Sequence, residues 1–245
     1  MEITTDALVL RTRPYGESDR IVTLITATQG KVTGIAKGAK NSRRRFAGTL
    51  EPFVCIRASF RHRQSSDLVF LLRCELVRPL RSFTRDLERY AAGSYVLELA
   101  DRMVHGREPG AEVYRLVLEA VVLLDDGVAV TPLLRAFELH LLAATGYTPD
   151  LDRCRGCGRP TGDPAYLAAA RGGLFCRACV PTGEPVRLVS RAASVGLTRL
   201  ARAPLADAAG GATLPAEATA VTEQLLAAVI TAPMRSRAFL ERLPR

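Results

Sequence analysis

Tryptophan is absent from this chain of 245 residues, and histidine occurs only three times. His62, His105 and His140 stand far apart, and a lone histidine is typical of a surface or half-buried, hydrogen-bonded position. The sequence also lacks the glycine-rich signatures of phosphate and dinucleotide sites and the Gly-x-Ser-x-Gly nucleophile elbow. These absences favour a binding protein over an enzyme.

Long apolar runs are missing as well. The best one, Leu116–Leu124, is interrupted by Glu119 and is far shorter than the roughly 18 residues that a membrane span needs. The first residues, Met1–Asp6, show no basic segment followed by an apolar one. We therefore expect a cytoplasmic protein, associated with the nucleoid and without a membrane partner.

Positive charge is concentrated in the first third of the chain. The formal net charge is +9. Residues 1–81 hold fifteen lysines and arginines against seven aspartates and glutamates, an excess of eight positive charges, and they include all three lysines. Such a surface is typical of a protein that binds a polyanion, because neutralising phosphates releases counterions and supplies most non-specific affinity for nucleic acids.

Four of the six cysteines form two Cys-x-x-Cys pairs, Cys154/Cys157 and Cys176/Cys179, separated by eighteen residues. This spacing is typical of a zinc site, in which four thiolates surround one tetrahedral ion. Two disulfides or scattered buried thiols are the alternatives, and an unexported chain disfavours disulfides. Because all four positions on the metal would be filled by sulfur, we expect one structural Zn²⁺ that activates no water.

The remaining two cysteines have a different context. Cys55 and Cys74 lie in strand-like runs, where a lone thiol usually packs as a small hydrophobic side chain.

Short runs rich in Val, Ile, Thr and Leu, punctuated by glycine and proline, predict five strands early in the chain, and 3.6-residue periods follow from Phe83 onward. The strands are predicted at residues 3–12, 20–26, 31–37, 53–61 and 68–77. The helices are predicted as one of about five turns that includes Leu87–Asp101 and as 112–126, 131–145, 190–202, 217–230 and 235–243, with Thr131 as an N-cap and Gly146 closing the third. Five short strands in about 80 residues favour an OB-fold barrel.

The predicted fold class is therefore α+β. An OB-fold domain at residues 1–81 precedes a helical domain at residues 82–245, and the latter contains an inserted Cys₄ zinc module at residues 151–182. The module is rich in glycine and proline and cannot build a large core, so the metal would supply its folding free energy.

A basic stretch from Lys37 to Phe46 is the strongest functional signal after the cysteines. It leaves a predicted strand at Gly38, which favours a loop at one end of the barrel. Phe46 would offer a ring for base stacking, and the fourth strand adds further arginines. Cations beside aromatic rings are typical of proteins that hold single strands without reading their sequence. A merely solvated loop is the alternative.

The segments Tyr15–Ile25, Gly34–Ala39 and Leu50–Phe53 closely resemble the N-terminal domain of the bacterial recombination mediator family RecO. The resemblance continues through the helices and both cysteine pairs, so it covers essentially the whole chain. It implies a role in RecF-pathway DNA repair: binding single- and double-stranded DNA, annealing complementary strands and, with RecR, helping RecA load onto DNA coated by the single-stranded-DNA-binding protein SSB.

We expect the following residues to contact DNA: Arg20, Lys31, Lys37, Lys40, Arg43, Arg44, Arg45, Phe46, Arg61 and Arg63. The acidic, apolar-tipped C-terminal tail of SSB, a partner implied by the resemblance, is expected in a groove of the helical domain. Candidate rim charges there are Arg102, Arg107, Arg115 and Arg135.

Two other classes of function stay open at this point. Charge alone does not separate DNA from RNA, so an RNA-binding protein of translation or ribosome assembly is the main alternative. A zinc-dependent nucleic-acid enzyme is disfavoured by the closed Cys₄ ligand set.

Overall fold

The computed structural model describes residues 1–63, 66–106, 110–208 and 214–243, without the side chains of Arg63, Ser66 and Asp67. The chain divides into two compact units. The first comprises Met1–Gly127 and Met234–Arg245, and the second comprises Val128–Pro233. None of the helices in the described segments combines the length and the apolar character that crossing a bilayer requires.

The first unit begins with a closed five-stranded barrel. Its strands are β1 (Glu2–Tyr15), β2 (Asp19–Thr26), β3 (Gly30–Ala36), β4 (Val54–Arg63) and β5 (Ser66–Pro79). They close in the order β1-β2-β3-β5-β4, with β1 returning to β4. Every pairing is antiparallel except β3 with β5. The predicted α+β class with an N-terminal barrel of the OB type is confirmed.

Closure of the barrel depends on Gly34. A Cβ atom at this position would lie 2.8 Å from Val69 Cγ2 and 2.9 Å from Leu71 Cγ. Those distances are shorter than van der Waals contact, so only glycine lets β3 approach β5 closely enough for the parallel ladder. Phe60 and Val69 help to fill the apolar interior.

Two helices cover one outer wall of the barrel. They are α1 (Leu87–Met103) and α2 (Gly110–Asp125), and they pack on β1, β2 and β3. Leu8, Ile21 and Ile25 point away from the barrel interior and yet are buried, because the helices cover them. These three strands are therefore buried on both faces along much of their length.

A glycine permits the close approach of α2. A Cβ atom at Gly110 would lie only 2.6 Å from the Cα of Gly30, at the turn between β2 and β3. The first residue of the helix can therefore sit directly on the backbone of the barrel.

The second unit contains helices and a small sheet. The helices are α3 (Val130–Ala144), α4 (Arg191–Arg202), α5 (Leu205–Ala208) and α6 (Ala216–Val229), and the strands are β6 (Ala165–Ala168), β7 (Gly173–Phe175) and β8 (Arg187–Val189), in the order β7-β6-β8. Helix α3 packs against α4, α5 and α6, so the helices before and after the cysteine region share one core.

The N-cap residues of α3 and α4 show where these two helices begin, which can be compared with the starts predicted from the sequence. Ser190 caps α4, because its hydroxyl accepts a hydrogen bond from the N–H of Ala193. Thr131 is not the N-cap of α3, so that prediction is wrong. The helix begins one residue earlier, at Val130, and Ala129 occupies the cap position without a side-chain hydrogen bond.

The last helix, α7 (Arg235–Leu240), returns to the first unit and packs on α1. Glu98 of α1 accepts hydrogen bonds from the N–H groups of Arg235 (3.3 Å) and Ser236 (2.8 Å) and from the Ser236 hydroxyl (2.6 Å). Arg102 also donates to this carboxylate, at 3.0 Å. Glu98 thus satisfies backbone donors that the short helix leaves free at its start.

The predicted domain boundary after residue 81 falls between the barrel and α1. Spatial proximity instead groups α1, α2 and α7 with the barrel. The division into a barrel domain and a separate helical domain therefore stays a prediction.

We predict that Glu98→Gln weakens the attachment of α7. Burial opposes ionisation of Glu98, but the donated hydrogen bonds outweigh burial and lower its pKa below the ordinary 4.5. A carboxylate with a lowered pKa stabilises the fold above its unfolded pKa, and this contribution disappears as the pH falls through the folded-state pKa. At pH 7 the variant should lose about 1 to 3 kcal/mol of unfolding free energy.

Urea unfolding of both proteins at pH 7 and at decreasing pH checks this. The difference between them should begin to shrink below about pH 4.5, where the unfolded chain takes up the proton, and should disappear as the pH falls through the lowered pKa of the folded carboxylate. Glu112→Gln is a suitable control, because Glu112 is exposed in the first turn of α2 and has no ion pair among the described residues. A pH-independent difference would contradict the role of the Glu98 charge.

Candidate metal centre and nucleic-acid interface

The four cysteines of the two pairs converge in the second unit. The Sγ atoms of Cys154, Cys157, Cys176 and Cys179 all lie within 4.8 Å of one another. The Cys157 and Cys176 sulfurs are 4.0 Å apart. Four sulfurs at about 2.3 Å from a tetrahedral Zn²⁺ are separated by about 3.8 Å, so the cluster has the size of a metal site.

Two tight turns create this arrangement. In the first, the N–H of Gly158 donates to the carbonyl of Cys154 (2.7 Å), and in the second the N–H of Cys179 donates to the carbonyl of Cys176 (3.0 Å). Between them, β6 and β7 form the short hairpin that brings the turns together.

The backbone around Cys154 favours a thiolate. Burial disfavours ionisation of this thiol, but the N–H groups of Cys176, Cys157 and Gly156 donate to it and lower its pKa to about 6. N–H groups aimed at sulfur stabilise a metal-bound thiolate in the same way. The donor set therefore fits a soft or borderline cation such as Zn²⁺.

The apolar core beside the cluster is small. Besides Cys154 itself, its fully buried members are Ala168 and Phe175, with Tyr166 and Val180 partly buried against them. Other buried side chains of this region, such as Leu167 and Leu174, do not belong to this cluster. The cysteines themselves are therefore surrounded by little buried apolar surface, and an ion bound there would add folding free energy.

The other two cysteines lie in the first unit, away from the cluster. Burial raises the pKa of Cys55 to about 11 and that of Cys74 to about 12. Both thiols stay protonated and pack as hydrophobic side chains, as predicted.

The basic loop is defined here as residues 37–45, which follow β3 at one end of the barrel. Lys37, Arg43 and Arg44 are exposed, and none of them has an ion pair with any residue in the described part of the chain. Arg45 is also exposed, but its guanidinium donates to the carbonyl of Lys37 (2.8 Å) and lies 5.0 Å from the centroid of the Phe46 ring. Three cations of the loop are therefore available to an external anion.

The turn between β1 and β2 is fastened to this loop. The Lys40 ammonium donates to the carbonyl of Glu17 (2.7 Å), and the Lys40 N–H donates to the carbonyl of Ser18 (3.0 Å). The carboxylate of Asp19 accepts from the N–H of Gly38 at 2.8 Å. Lys40 thus helps to hold the loop, although its side chain is exposed.

Most arginines on the outer face of β4 and β5 have acidic partners. Arg57 pairs with Asp6 (2.9 Å) and Arg61 with Glu2 (3.2 Å), both across the β1–β4 ladder. On β5, Arg73 lies 3.6 Å from Glu75. This face therefore presents alternating charges rather than a continuous positive surface.

The prediction of Phe46 as a stacking ring is wrong. Only 3% of Phe46 is exposed, and it packs in the barrel core with Leu50 and Phe60. An apolar ring gains more from burial in this core than from contact with water.

Two further predicted DNA-contacting residues have partners within the protein. Arg20 is paired with Glu51. Lys31 donates to the carbonyl and the carboxylate of Asp101 in α1, at 2.5 and 3.3 Å, and so joins the barrel to the helix. The side chain of Arg63 lies outside the described residues.

The three candidate rim arginines that the structure describes have different surroundings. Arg135 is only 7% exposed and donates to Glu138 one turn later in α3, so its prediction as a rim charge is wrong. Arg102 is bound to Glu98. Arg115 is exposed on α2, and Arg107 lies outside the described residues.

The second unit has a pocket that sequence reasoning missed, with a volume of about 240 Å³. Leu142 and Leu225 form an apolar floor, the exposed Tyr147 lies at the edge, and Arg155 and Arg171 supply positive charge. These residues come from four separate segments, so no local sequence signal could have identified the pocket.

Arg13 and Tyr15, near the end of β1, were not among the DNA-contacting residues predicted from the sequence. Both are exposed, Tyr15 by 53%. The alternation of Arg11, Arg13 and Tyr15 was a signal in the sequence, because residues two apart in a strand share a face.

Comparison with known proteins agrees with this architecture. The family model "Recombination protein O N terminal" matches residues 1–80, and "Recombination protein O C terminal" matches residues 84–238. A DNA repair protein RecO from Anaeromyxobacter sp. (strain K) is 42% identical over 83% of this chain and 84% of its own length. Another, from Syntrophotalea carbinolica, is 34% identical over 98% of this chain and 94% of its own. The chain therefore belongs to the RecO family of DNA repair proteins.

Proposed function

We propose that this protein is a recombination mediator that binds single- and double-stranded DNA and anneals complementary strands. The observation that carries the proposal is the unpaired positive charge of the basic loop in a member of a DNA repair family. Phosphate contacts hold DNA without reading its sequence, which suits repair at arbitrary sites.

The usual ligand-binding face of an OB-fold, formed by β2 and β3, is covered here by α2. The outer face of β4 and β5 carries cations whose charge is offset by neighbouring carboxylates. The basic loop end of the barrel is then the surface best suited to phosphate. Lys37, Arg43 and Arg44 are the proposed primary contacts, with Lys40 and Arg45 supporting the loop.

Annealing follows from charge neutralisation. Two complementary strands repel each other through their phosphates, and a cationic platform offsets that repulsion while the base edges remain free to pair. The process needs neither ATP nor a catalytic side chain, so we infer that the protein is not an enzyme.

Membership of the RecO family also supports a role with the protein partners RecR, RecA and SSB. We propose that the protein works with RecR to help RecA load onto DNA coated by SSB, in the cytoplasm on chromosomal DNA. RNA binding remains the alternative function, and competition between matched DNA and RNA oligonucleotides separates the two.

We further propose that the cysteine cluster holds one structural Zn²⁺. Four thiolates would fill its coordination sphere, so the ion would contribute folding free energy and no reactive water.

The acidic tail of SSB is proposed to bind in the pocket of the second unit. Its apolar floor suits the hydrophobic tip of the tail, and Arg155 and Arg171 suit its carboxylates. These arginines now pair with Asp150 and Glu184 at exposed positions. Exposed ion pairs contribute only about 0 to 1 kcal/mol to stability. The two arginines can therefore leave these partners and bind the carboxylates of the tail at little cost.

The basic loop can be tested by salt dependence and annealing. Log affinity for single-stranded DNA falls as log salt concentration rises, and each phosphate contact adds about 0.7 to the steepness of this fall. Arg43→Ala combined with Arg44→Ala should therefore make the slope less steep by about 1.4. The same variant should slow the annealing of two dye-labelled complementary strands, measured by energy transfer.

Arg57→Ala combined with Arg61→Ala is the matched control. It removes the same charge from the same barrel, but from arginines that already have partners, so slope and annealing should change little. Equal effects of the two variants would mean that net charge, not the loop, governs binding. Stronger competition by RNA than by matched DNA would favour the alternative function.

Metal analysis tests the cysteine cluster. The purified protein should contain one zinc per chain, and Cys176→Ser should lose the metal and lower the unfolding temperature. DNA affinity measured below that temperature should change less, because the basic loop belongs to the other unit. Cys74→Ala, a buried cysteine outside the cluster, should keep the zinc; a metal-free parent protein would refute the assignment.

A labelled peptide of the SSB tail tests the pocket. Arg155→Ala combined with Arg171→Ala should weaken peptide binding by about tenfold or more, as expected when two charge-assisted contacts are lost. Arg115→Ala, which changes an exposed predicted rim charge on α2, should leave the affinity unchanged. The reverse pattern would place the tail on the surface that the sequence predicted.

A further inference from the structure

We propose that Tyr15 is the aromatic side chain on which a base of single-stranded DNA stacks, the role that Phe46 cannot fill. This inference rests on the proposed DNA binding and names the contact that would complement the phosphate contacts of the basic loop. It follows from the geometry of β1, from the attachment of the β1–β2 turn to the loop, and from the surroundings of the ring.

A β-bulge in β1 turns Tyr15 outward. Before the bulge, Val9 faces the interior and pairs with Leu24, which is also interior. The register then shifts between Val9 and Arg11, so that Arg11 lies opposite Thr23. Bulges commonly re-aim the side chains that follow them. From this point the odd-numbered residues of β1, which include Tyr15, lie on the outer face.

Arg13 and Tyr15 extend past the covering helices. Arg11, the first residue of this outward row, still reaches α1 and pairs with Asp101 at 2.8 Å. Arg13 is exposed and has no ion pair in the described part of the chain, and 53% of Tyr15 is exposed. An unpaired guanidinium therefore lies on the same face as the ring, two residues away.

The ring is carried on the hairpin that is fastened to the basic loop. Tyr15 pairs with Asp19 as the last pair of the β1–β2 ladder. Asp19 in turn accepts from the N–H of Gly38, and Lys40 holds both Glu17 and Ser18 through their carbonyls. The ring and the loop cations thus belong to one hydrogen-bonded end of the barrel.

Tyr15 also lacks the aromatic partners that occupy other rings. Phe53 stacks on Phe83 at 4.3 Å, and the half-exposed Tyr90 contacts Phe53 at 5.5 Å. No ring contact of Tyr15 is found in the described part of the chain. An exposed ring next to cations is the combination that holds unpaired bases irrespective of sequence. Glu17 is the exposed carboxylate of the same turn, and its carbonyl accepts from the Lys40 ammonium.

The absence of tryptophan makes a direct test possible. In the full-length protein, Tyr15→Trp introduces a single fluorescent reporter, and titration with oligo-dT should quench it as the complex forms. Val195→Trp, at an exposed position on α4 in the second unit, is the matched control and should not respond. An unquenched Tyr15→Trp reporter in a fully formed complex would overturn the proposal.

Affinity measurements separate stacking from charge. Tyr15→Ala should weaken oligo-dT binding by about 5- to 140-fold, the loss expected for one stacked base, without changing the salt slope. Tyr15→Phe keeps the ring and should stay within about twofold of the parent, which excludes a hydroxyl contact as the cause. Thermal unfolding of each variant checks that the exposed substitution leaves the fold intact.

The outcomes distinguish this inference from the function on which it rests. If Tyr15→Ala binds as the parent does while Arg43→Ala with Arg44→Ala lowers the salt slope, stacking on Tyr15 is wrong and DNA binding by the loop stands. A reduced salt slope in Tyr15→Ala would also contradict stacking, since a neutral ring releases no counterions. If the parent protein does not bind DNA, the proposed function itself fails.

Discussion

The packing of α1 and α2 on the barrel is the constraint on which the first unit depends. It buries the outer faces of β1, β2 and β3, where Leu8 and Ile25 are as fully enclosed as the barrel interior. Burying these aliphatic side chains stabilises the unit by about 1.5 to 3 kcal/mol each. The same packing removes the face that OB-folds commonly offer to ligands. The basic loop and the outer face of β4 and β5 stay exposed.

Ion pairing, rather than the number of cationic side chains, decides which part of the remaining surface is positive. Arginines on β4 face carboxylates on β1 at cross-strand distances, and such pairs hold the sheet without attracting a polyanion. The cations of the basic loop have no such partners among the described residues. A protein with a modest net excess of charge can therefore present one strongly positive end.

The second unit uses a different source of stability in its cysteine region. Its strands are short, and only a few fully buried apolar side chains surround the cysteines, so little apolar surface at that point opposes chain entropy. Four converging thiols, one of them surrounded by N–H donors, provide a site where metal binding can supply the missing free energy. The neighbouring pocket takes Arg155 from the first cysteine turn and Arg171 from the β6–β7 hairpin, so an ion in the cluster would also fix its wall.

The sequence by itself determined the features that depend on local pattern. The spacing of Cys154, Cys157, Cys176 and Cys179 predicted their convergence. Short apolar runs between glycines and prolines predicted the five strands, and the 3.6-residue period predicted most helices. Only the tertiary structure decided which of the polar and aromatic residues are exposed and free to contact a ligand. Phe46 and Arg135 are buried, Lys31 and Arg61 are paired, and Tyr15 is turned outward by a bulge. Composition and period carry no information about which distant element covers a side chain, because burial and ion pairing arise between segments far apart in the chain.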